Sequence, residues 1–437
     1  MKVHLRTFGC RANQYDTEAV RGMIEASGGE VVDAAADADV VVFNSCTVTA
    51  DAEADLRRAV RGAQKPAIVM GCAAARSGAT IAALPNVSHV VAGADLPAIA
   101  AALGLDRARA EERPAVQTGA RALLRIQDGC GEHCTFCATT LARGEHRSRR
   151  ADAIVREALA LAEAHPEIVI TGIHIGSYGS ERGSTLGALM ARLVREVPTV
   201  RFRLTSIEAT EVDDQLAELF ADDPRRVAPH LHAPLQSGAD AVLKRMGRHW
   251  YTGGTYAAAV ERIAARVARA GKAAHFALGA DVMTGFPGET AADHDATISL
   301  VRSLPFTYLH VFPYSARPGT AAERLPHTVD ARLSRQRAAE LRELATACGS
   351  THRAARHGQL ADIVVIGDGH RRTGLTEDYL SVALPEPAAP RRARFSAPLV
   401  VQGDQLSVRP ADLPASVGQV SPALTSSRVL PTLAFQS

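Results

Sequence analysis

Residues 124–137 read LRIQDGCGEHCTFC: a strand-like run that breaks into a loop carrying Cys130, Cys134 and Cys137 within eight residues. Three thiols this close, with no fourth nearby, restrict the chemistry. A structural zinc ion wants four ligands, and a catalytic one usually takes three protein ligands with histidine prominent, so His133 or His146 could complete such a set. A cubane iron-sulfur cluster normally takes four cysteines; held by three, it keeps one iron open to a substrate or cofactor. On these residues alone both readings stand.

Downstream of the loop, strand-like and helical segments alternate. The strands are ALLRIQ, EIVITGIHI, RFRLTSIE, HLHAPLQS, HFALGADVMTGF and YLHVFPYS, with helical periodicity between them, as in ADAIVREALALAEAHP and TLGALMARLVREV. These β/α units predict an α/β fold, a partial or complete β/α barrel over residues 121–350, whose chemistry lies at the carboxyl ends of its strands. The cysteine loop follows the first of those strands.

Upstream, residues 1–106 alternate in the same way through KVHLRTFG, QYDTEAVRGMIEASG, ADVVVFNS, DAEADLRRAVRGA, PAIVMG and VSHVVAG, a parallel α/β pattern. Cys10, Cys46 and Cys72 each come directly after one of its strands. Binding sites of open parallel sheets lie outside the carboxyl ends of the strands, so these three remote thiols are expected to converge. Residues 107–120 read as a polar linker. Short β runs with turn signals in residues 351–411, GQLADIVVIGDG, GLTEDYLSVALP and ARFSAPLVVQGDQLSVRP, predict a small all-β barrel. Residues 412–437 lack periodicity and read as a flexible tail. Cys348 lies in a helical run and reads as a half-buried thiol.

Composition sets outer limits. A formal net charge of +2 over 437 residues gives no global basic field, so any nucleic-acid contact must be local. No apolar run approaches the ~18 residues a membrane span needs, and MKVHLRTFGC does not open a signal peptide. A cytoplasmic protein without a membrane partner is expected, in which cysteines serve as ligands or catalysts and not as disulfides.

The Cys-x3-Cys-x2-Cys spacing on a strand-to-helix loop at a barrel mouth resembles the signature of the radical S-adenosylmethionine (SAM) enzymes. The resemblance extends to their methylthiotransferase family, whose layout fits nearly the whole chain to about residue 411. It rests on FGCRANQYDTEAV, FNSCTVTADAE and VMGC in the first domain, and on GCGEHCTFC, ARGEHRSR, ITGIHIGSYG, RLTSIEATE, HLHAPLQSGADAVLKRMGR, ADVMTGFPGET and FPYSARPGT in the barrel. The resemblance implies two [4Fe-4S] clusters. Cys130, Cys134 and Cys137 would hold the catalytic one, whose open iron chelates SAM and whose electron splits it to methionine and a 5′-deoxyadenosyl radical. Cys10, Cys46 and Cys72 would hold an auxiliary cluster that carries or donates sulfur. Thr171, Gly172, Ser206, Glu208, Gln236 and Ser237 are the expected SAM contacts, with Glu208 placed to pair with the ammonium. In GFPGET the structural reading is at least as good: Gly285, Pro287 and Gly288 shape a turn and Glu289 starts a helix. His174 and His232 read as core or supporting histidines.

Within the family, GCRANQYDTEAV and ARGEHRSR look most like the branch that modifies N6-threonylcarbamoyladenosine beside the tRNA anticodon. The implied partners are the anticodon stem-loop of tRNA, an electron donor such as flavodoxin or ferredoxin, and a sulfur source. Arg391, Arg392 and Arg394, with RGEHRSRR, are expected to supply local positive charge for phosphates. The chain departs from the family after Cys137, where Ala-Thr-Thr-Leu replaces an apolar pair and proline, and after Cys72, where Ala-Ala-Ala stands. Other acceptors therefore remain open: isopentenyladenosine in tRNA, a ribosomal protein, a peptide or a metabolite. So do an auxiliary cluster that only transfers electrons and a non-catalytic iron-sulfur RNA-binding module.

Overall fold

The computed structural model describes residues 1–106, 113–271, 275–367, 372–386 and 389–413. Residues 107–112 of the expected linker and 414–437 of the expected tail lie outside the described residues.

The N-terminal segment forms β1 (Lys2–Thr7), α1 (Arg11–Ala26), β2 (Glu30–Val31), β3 (Val40–Ser45), α2 (Ala50–Gly62), β4 (Ala67–Gly71), α3 (Cys72–Ala82), β5 (Val87–Val90) and α4 (Leu96–Ala102). Its strands pair in parallel in the order β2-β1-β3-β4-β5. The run Val40–Phe43 explains why the sheet is covered on both faces. Val42 joins Val3, Ile68 and Met70 under α1 and α4, while Val41 and Phe43 join Val69 under Leu56 and Val60 of α2. Apolar residues at successive positions are what a strand buried on both faces requires.

The barrel comprises β6 (Ala122–Arg125), β7 (Gln127–Asp128), α5 (Ala138–Arg143), β8 (Arg147–Ser148), β9 (Glu167–Thr171), β10 (Arg201–Leu204), β11 (His230–His232), β12 (Ala277–Thr284) and β13 (Tyr308–Pro313). Two parallel three-stranded sheets, β6-β9-β10 and β11-β12-β13, are joined by parallel bridges Phe202–Val227 and Ser206–His232. Among the described residues β6 and β13 do not pair, so the barrel is partial and opens between them. Leu124, Ile168, Ile170, Phe202, Leu204, Leu231, Leu278 and Val282 pack into the large outer core. Side chains alternate along a strand, which puts Arg125, Glu167, Arg201, Arg203, His230, His232, Asp281 and His310 on the opposite face, the lumen. A lumen this polar is built for ligands and ion pairs. The α1 helix packs along β6 at one edge of the opening.

The C-terminal sheet runs β17-β14-β15-β16-β19-β18, made of β14 (Leu360–Ile366), β15 (Thr373–Leu375), β16 (Ser381–Ala383), β17 (Arg394–Pro398), β18 (Val400–Gln402) and β19 (Gln405–Ser407). Its two edge strands, β17 and β18, are separated in sequence by Leu399 alone, so the sheet must curl back on itself, as the sequence predicts. The helix Ala331–Ala355 runs through the expected boundary at 350/351 and joins barrel to sheet without a break. No helix among the described residues is long and apolar enough to cross a membrane.

Candidate functional site

Cys10, Cys46 and Cys72 stand at the carboxyl ends of β1, β3 and β4, neighbours in the sheet. Thiols remote in sequence thereby form one group: the side-chain oxygen of Asn13 lies 3.9 Å from the Sγ atoms of both Cys10 and Cys72. Two glycines permit the approach. A Cβ on Gly9 (φ +107°) would lie 2.8 Å from Cys46 Sγ, and one on Gly71 (φ +95°) would collide with Asn44 Oδ1. Burial pushes the Cys72 thiol up to about 11; the Arg143 guanidinium, with Nε 3.4 Å from its Sγ, pulls the other way, and charge on Cys10 and Cys46 pushes up again. Burial raises Cys46 as well. Thiols that converge around one amide oxygen, with burial opposing ionisation of Cys46 and Cys72, fit a thiolate-bound metal group, which would supply positive charge.

Cys130, Cys134 and Cys137 occupy the loop between β7 and α5. The loop is closed by backbone bonds from Cys130 to Gly144 (3.0 Å) and Cys137 to Cys134 (3.0 Å), and tied to the barrel by Thr135 to Met246 (2.8 Å). Burial pushes the Cys134 thiol up to about 12 against the pull of Arg248, whose Nη1 is 3.5 Å from the sulfur. His174 Nδ1 lies 3.7 Å from Cys130 Sγ, and its Nε2 lies 2.7 Å from Glu211. Burial opposes charge on this imidazole, but those two partners prevail and raise it to about 10. The zinc reading loses His146, whose ring is bonded to Gln127 (2.9 Å) and Glu181 (2.9 Å), while His133 is exposed.

Of the expected SAM contacts, Thr171 ends β9 and Gly172 begins a turn fixed by Gln127 Oε1, which accepts from the backbone of Ile173 (3.0 Å) and His174 (2.9 Å). Glu208 pairs through Oε1 with Arg248, and its buried Oε2 has no partner. Burial raises its carboxyl, with Arg248 opposing. Gln236 (φ +63°) also buries a side-chain oxygen without a partner. Two orphaned acceptors near the strand ends fit a ligand that brings its own donors, as an ammonium and ribose hydroxyls do. Ser206 is exposed on the bridge to β11. Ser237 is engaged within the fold, where its Oγ accepts from Ala239 N (3.2 Å) at the start of a helix. Glu289 does not start the helix, which is capped by Thr290, but closes the preceding turn: Oε2 accepts from Gly285 N (2.7 Å) and pairs with Arg337 (2.6 Å). His232 is held between Tyr308 (2.9 Å) and Asp281 (3.2 Å).

Arg143, Arg248 and Arg317 are positions beside the thiol sets that motif spacing did not single out. Arg143, at the end of the helix that follows the barrel's cysteine loop, reaches the N-terminal thiol set. It contacts Cys72 and also donates to Asn13 Oδ1 (2.8 Å), Asp16 Oδ2 (2.7 Å) and Asp128 Oδ1 (3.3 Å). The helices α3 and α5, which begin at Cys72 and just after Cys137, pack on each other. Arg317 of SARPGT pairs with Glu53, which also accepts from Thr47 beside Cys46 (2.8 Å). Among the expected phosphate-binding arginines, Arg147 and Arg150 are exposed, while others also bond within the fold. Arg391 and Arg392 donate to the Thr118 and Gln117 carbonyls (both 2.6 Å), Arg394 pairs with Asp362 (2.5 Å) and Arg149 with Glu157 (2.7 Å). Each finds a partner inside the fold, which sequence proximity could not reveal.

A family model described as the Radical SAM superfamily matches residues 124–301, and one described as uncharacterized protein family UPF0004 matches residues 2–93. The chain is 34% identical over 415 residues to the threonylcarbamoyladenosine tRNA methylthiotransferase MtaB of Bacillus subtilis, covering 87% of this chain and 89% of that protein. The chain belongs to the radical SAM tRNA methylthiotransferase family. It is also 31% identical over 394 residues to a tRNA-2-methylthio-N(6)-dimethylallyladenosine synthase of Methylobacillus flagellatus, covering 83% and 87% of the two chains. Its fold is similar to that of the radical SAM methyltransferase TsrM from Kitasatospora setae (TM-score 0.55, 15% identity, 74% of each chain covered). The enzyme is thus a transferase that uses SAM and a [4Fe-4S] cluster.

Proposed function

We propose that this methylthiotransferase modifies C2 of N6-threonylcarbamoyladenosine beside the anticodon of tRNA. Cys130, Cys134 and Cys137 hold the radical-generating cluster, and Cys10, Cys46 and Cys72 hold a second one that presents sulfur. The observation that carries the reading is the Arg143 junction, which sets the strand ends of the N-terminal sheet against the cysteine loop of the barrel. Insertion of sulfur at an unactivated carbon needs a hydrogen-abstracting group and a sulfur donor at one acceptor atom, and two adjoining thiol sets supply sites for both.

When bound, the first cluster and SAM supply the radical that opens the C–H bond, and the second supplies the sulfur. The chain's own residues position these groups. Glu208 Oε2 would face the SAM ammonium, and the Arg248 guanidinium beside it opposes the upward push of burial on the carboxyl. Gln236 offers its orphaned oxygen to the ribose. His174, charged between Cys130 and Glu211, offsets thiolate charge at the loop. The threonylcarbamoyl acceptor is supported by the relative in Bacillus subtilis. Nucleoside analysis by liquid chromatography and mass spectrometry, comparing tRNA from cells with and without this gene, tests it. Loss of the methylthio derivative of threonylcarbamoyladenosine is expected; loss of the dimethylallyl derivative instead would replace the acceptor.

A further inference from the structure

Most arginines that line the junction of sheet and barrel are neutralised. Arg125 pairs with Asp16 (2.5 Å), Arg143 with the same carboxylate (2.7 Å), and Arg203 with Glu167 (2.8 Å). Arg11 differs. It is the first residue of α1, adjacent to Cys10, and among the described residues it has no carboxylate partner. Its Nη2 donates to Tyr379 Oη (2.8 Å), and the guanidinium carbon lies 5.9 Å from the centre of that ring. Tyr379 is itself held firmly, with φ +70° and its ring stacked 4.5 Å from His230 on the lumen wall. A cation kept in place by a neutral phenol retains its charge and most of its donors for a ligand.

Arg11 also lines a cavity of about 450 Å³ between the N-terminal sheet and the barrel, together with Gln14, Thr7, Thr17 and Arg121. Gln14 lies three residues along the same helix face and its side-chain amide has no partner among the described residues. A guanidinium beside a free carboxamide is complementary to a group that carries a carboxylate and a urea. The threonylcarbamoyl substituent carries both. A dimethylallyl substituent carries neither, and would leave the arginine desolvated without a partner, which penalises binding.

We propose that Arg11 is the specificity-determining residue for the acceptor, binding the carboxylate of the N6 substituent with Tyr379 as its positioning partner and Gln14 facing the urea. The proposal rests on the acceptor reading above and deepens it. Arg11 directly follows Cys10, the cap of the same helix.

The test uses reconstituted full-length enzyme and two anticodon stem-loops, one with threonylcarbamoyladenosine and one with its carboxylate converted to the neutral amide. Wild-type enzyme is expected to favour the acid over the amide in kcat/KM by about 10- to 100-fold, the range of a charge-assisted hydrogen-bond pair. Arg11→Gln should reduce that preference to about twofold or less, mainly through KM for the acid. Arg11→Lys should restore part of it, and Tyr379→Phe should weaken it while iron content stays at the wild-type level. A preference that survives in Arg11→Gln, or no preference in wild type, overturns the proposal while leaving the acceptor reading intact. Wild-type turnover of a dimethylallyladenosine stem-loop in place of both substrates overturns the acceptor reading itself, and this proposal with it.

Discussion

Replacement of Arg143 by alanine probes the junction on which the two-site chemistry depends. The side chain is 3% exposed and Asp16 is 1% exposed, so the pair is shielded from water. Removing one partner of a buried pair costs about 3–5 kcal/mol. Here Asp16 keeps Arg125 at 2.5 Å, which softens the loss, whereas Asn13, Asp128 and Cys72 each lose a donor. These opposing effects place the expected cost near the lower limit, about 3 kcal/mol. At 1.4 kcal/mol per decade, local opening of α1 should become on the order of 100-fold more frequent. Hydrogen exchange read by mass spectrometry on the metal-free chain measures this directly, in peptides covering α1 and α5. Peptides from β14–β17 serve as the internal reference and should not change. The double variant Arg143→Ala with Asp16→Asn should lose further protection, since Arg125 then loses its closest carboxylate as well. If α1 in Arg143→Ala exchanges within threefold of wild type, the junction is not held by this arginine.

Replacing Cys130, Cys134 and Cys137 together by alanine should halve the iron, from about eight per chain, and abolish 5′-deoxyadenosine formation; persistent SAM cleavage would move the initiating site elsewhere. Replacing Cys10, Cys46 and Cys72 should also halve the iron but spare SAM cleavage while stopping sulfur transfer, and full methylthio product from that variant would make those cysteines structural. Glu208→Gln should weaken SAM binding to the cluster-loaded protein by about 10- to 100-fold in calorimetry, because a neutral amide replaces a charge-assisted acceptor; unchanged affinity would reassign the ammonium site. His165 gives a pH prediction. It accepts from Gln117 N (3.1 Å), and burial, helped by Arg392, lowers it to about 4. The unfolded chain, with a value of about 6.5, binds a proton that the native state excludes between those limits, so stability should fall by up to about 3 kcal/mol as pH drops from 6.5 to 4. His165→Gln should flatten that part of the profile in urea unfolding of the metal-free chain, and parallel profiles would remove His165 as the cause.

Strand ends were legible in the sequence because one rule links periodicity to chemistry. Cys10, Cys46 and Cys72 come after apolar runs, and a parallel sheet gathers the loops that leave its strands at one edge. Partners of charge were not legible. Glu208 owes its setting to Arg248, 40 residues later, and Arg143 meets Cys72 across 71 residues. Arg391, Arg392 and Arg394 looked like a surface patch because their partners, Gln117, Thr118 and Asp362, belong to other parts of the chain. Ser237 sat in a SAM-like motif, yet its hydroxyl serves the next helix. Spacing reports which backbone positions meet, while a side chain's task depends on what arrives from elsewhere.

The same distinction changes the standing of the C-terminal sheet, which the sequence presents as an appended β domain. Its segment Thr376–Tyr379 enters the floor of the barrel. Arg203 donates to the carbonyls of Thr376 (2.8 Å) and Glu377 (3.0 Å) while pairing with the fully buried Glu167, and Arg201 bridges Glu167 (2.6 Å) to Asp362 of β14 (3.1 Å). Asp378 lies 2.9 Å from His352 Nε2 and pairs with Arg356 (3.2 Å), both from the connecting helix region. Desolvating that many charges makes such a network a weak source of net stability, but it admits few alternative arrangements in which every charge is paired. Its effect is to fix orientation. Tyr379 is the residue so oriented, and it delivers its phenol to Arg11 across the open side of the barrel. The C-terminal sheet is therefore a wall of the lumen, and a perturbation of Glu377 or Asp378 should be felt at the acceptor side of the enzyme before it is felt at the cysteine loop.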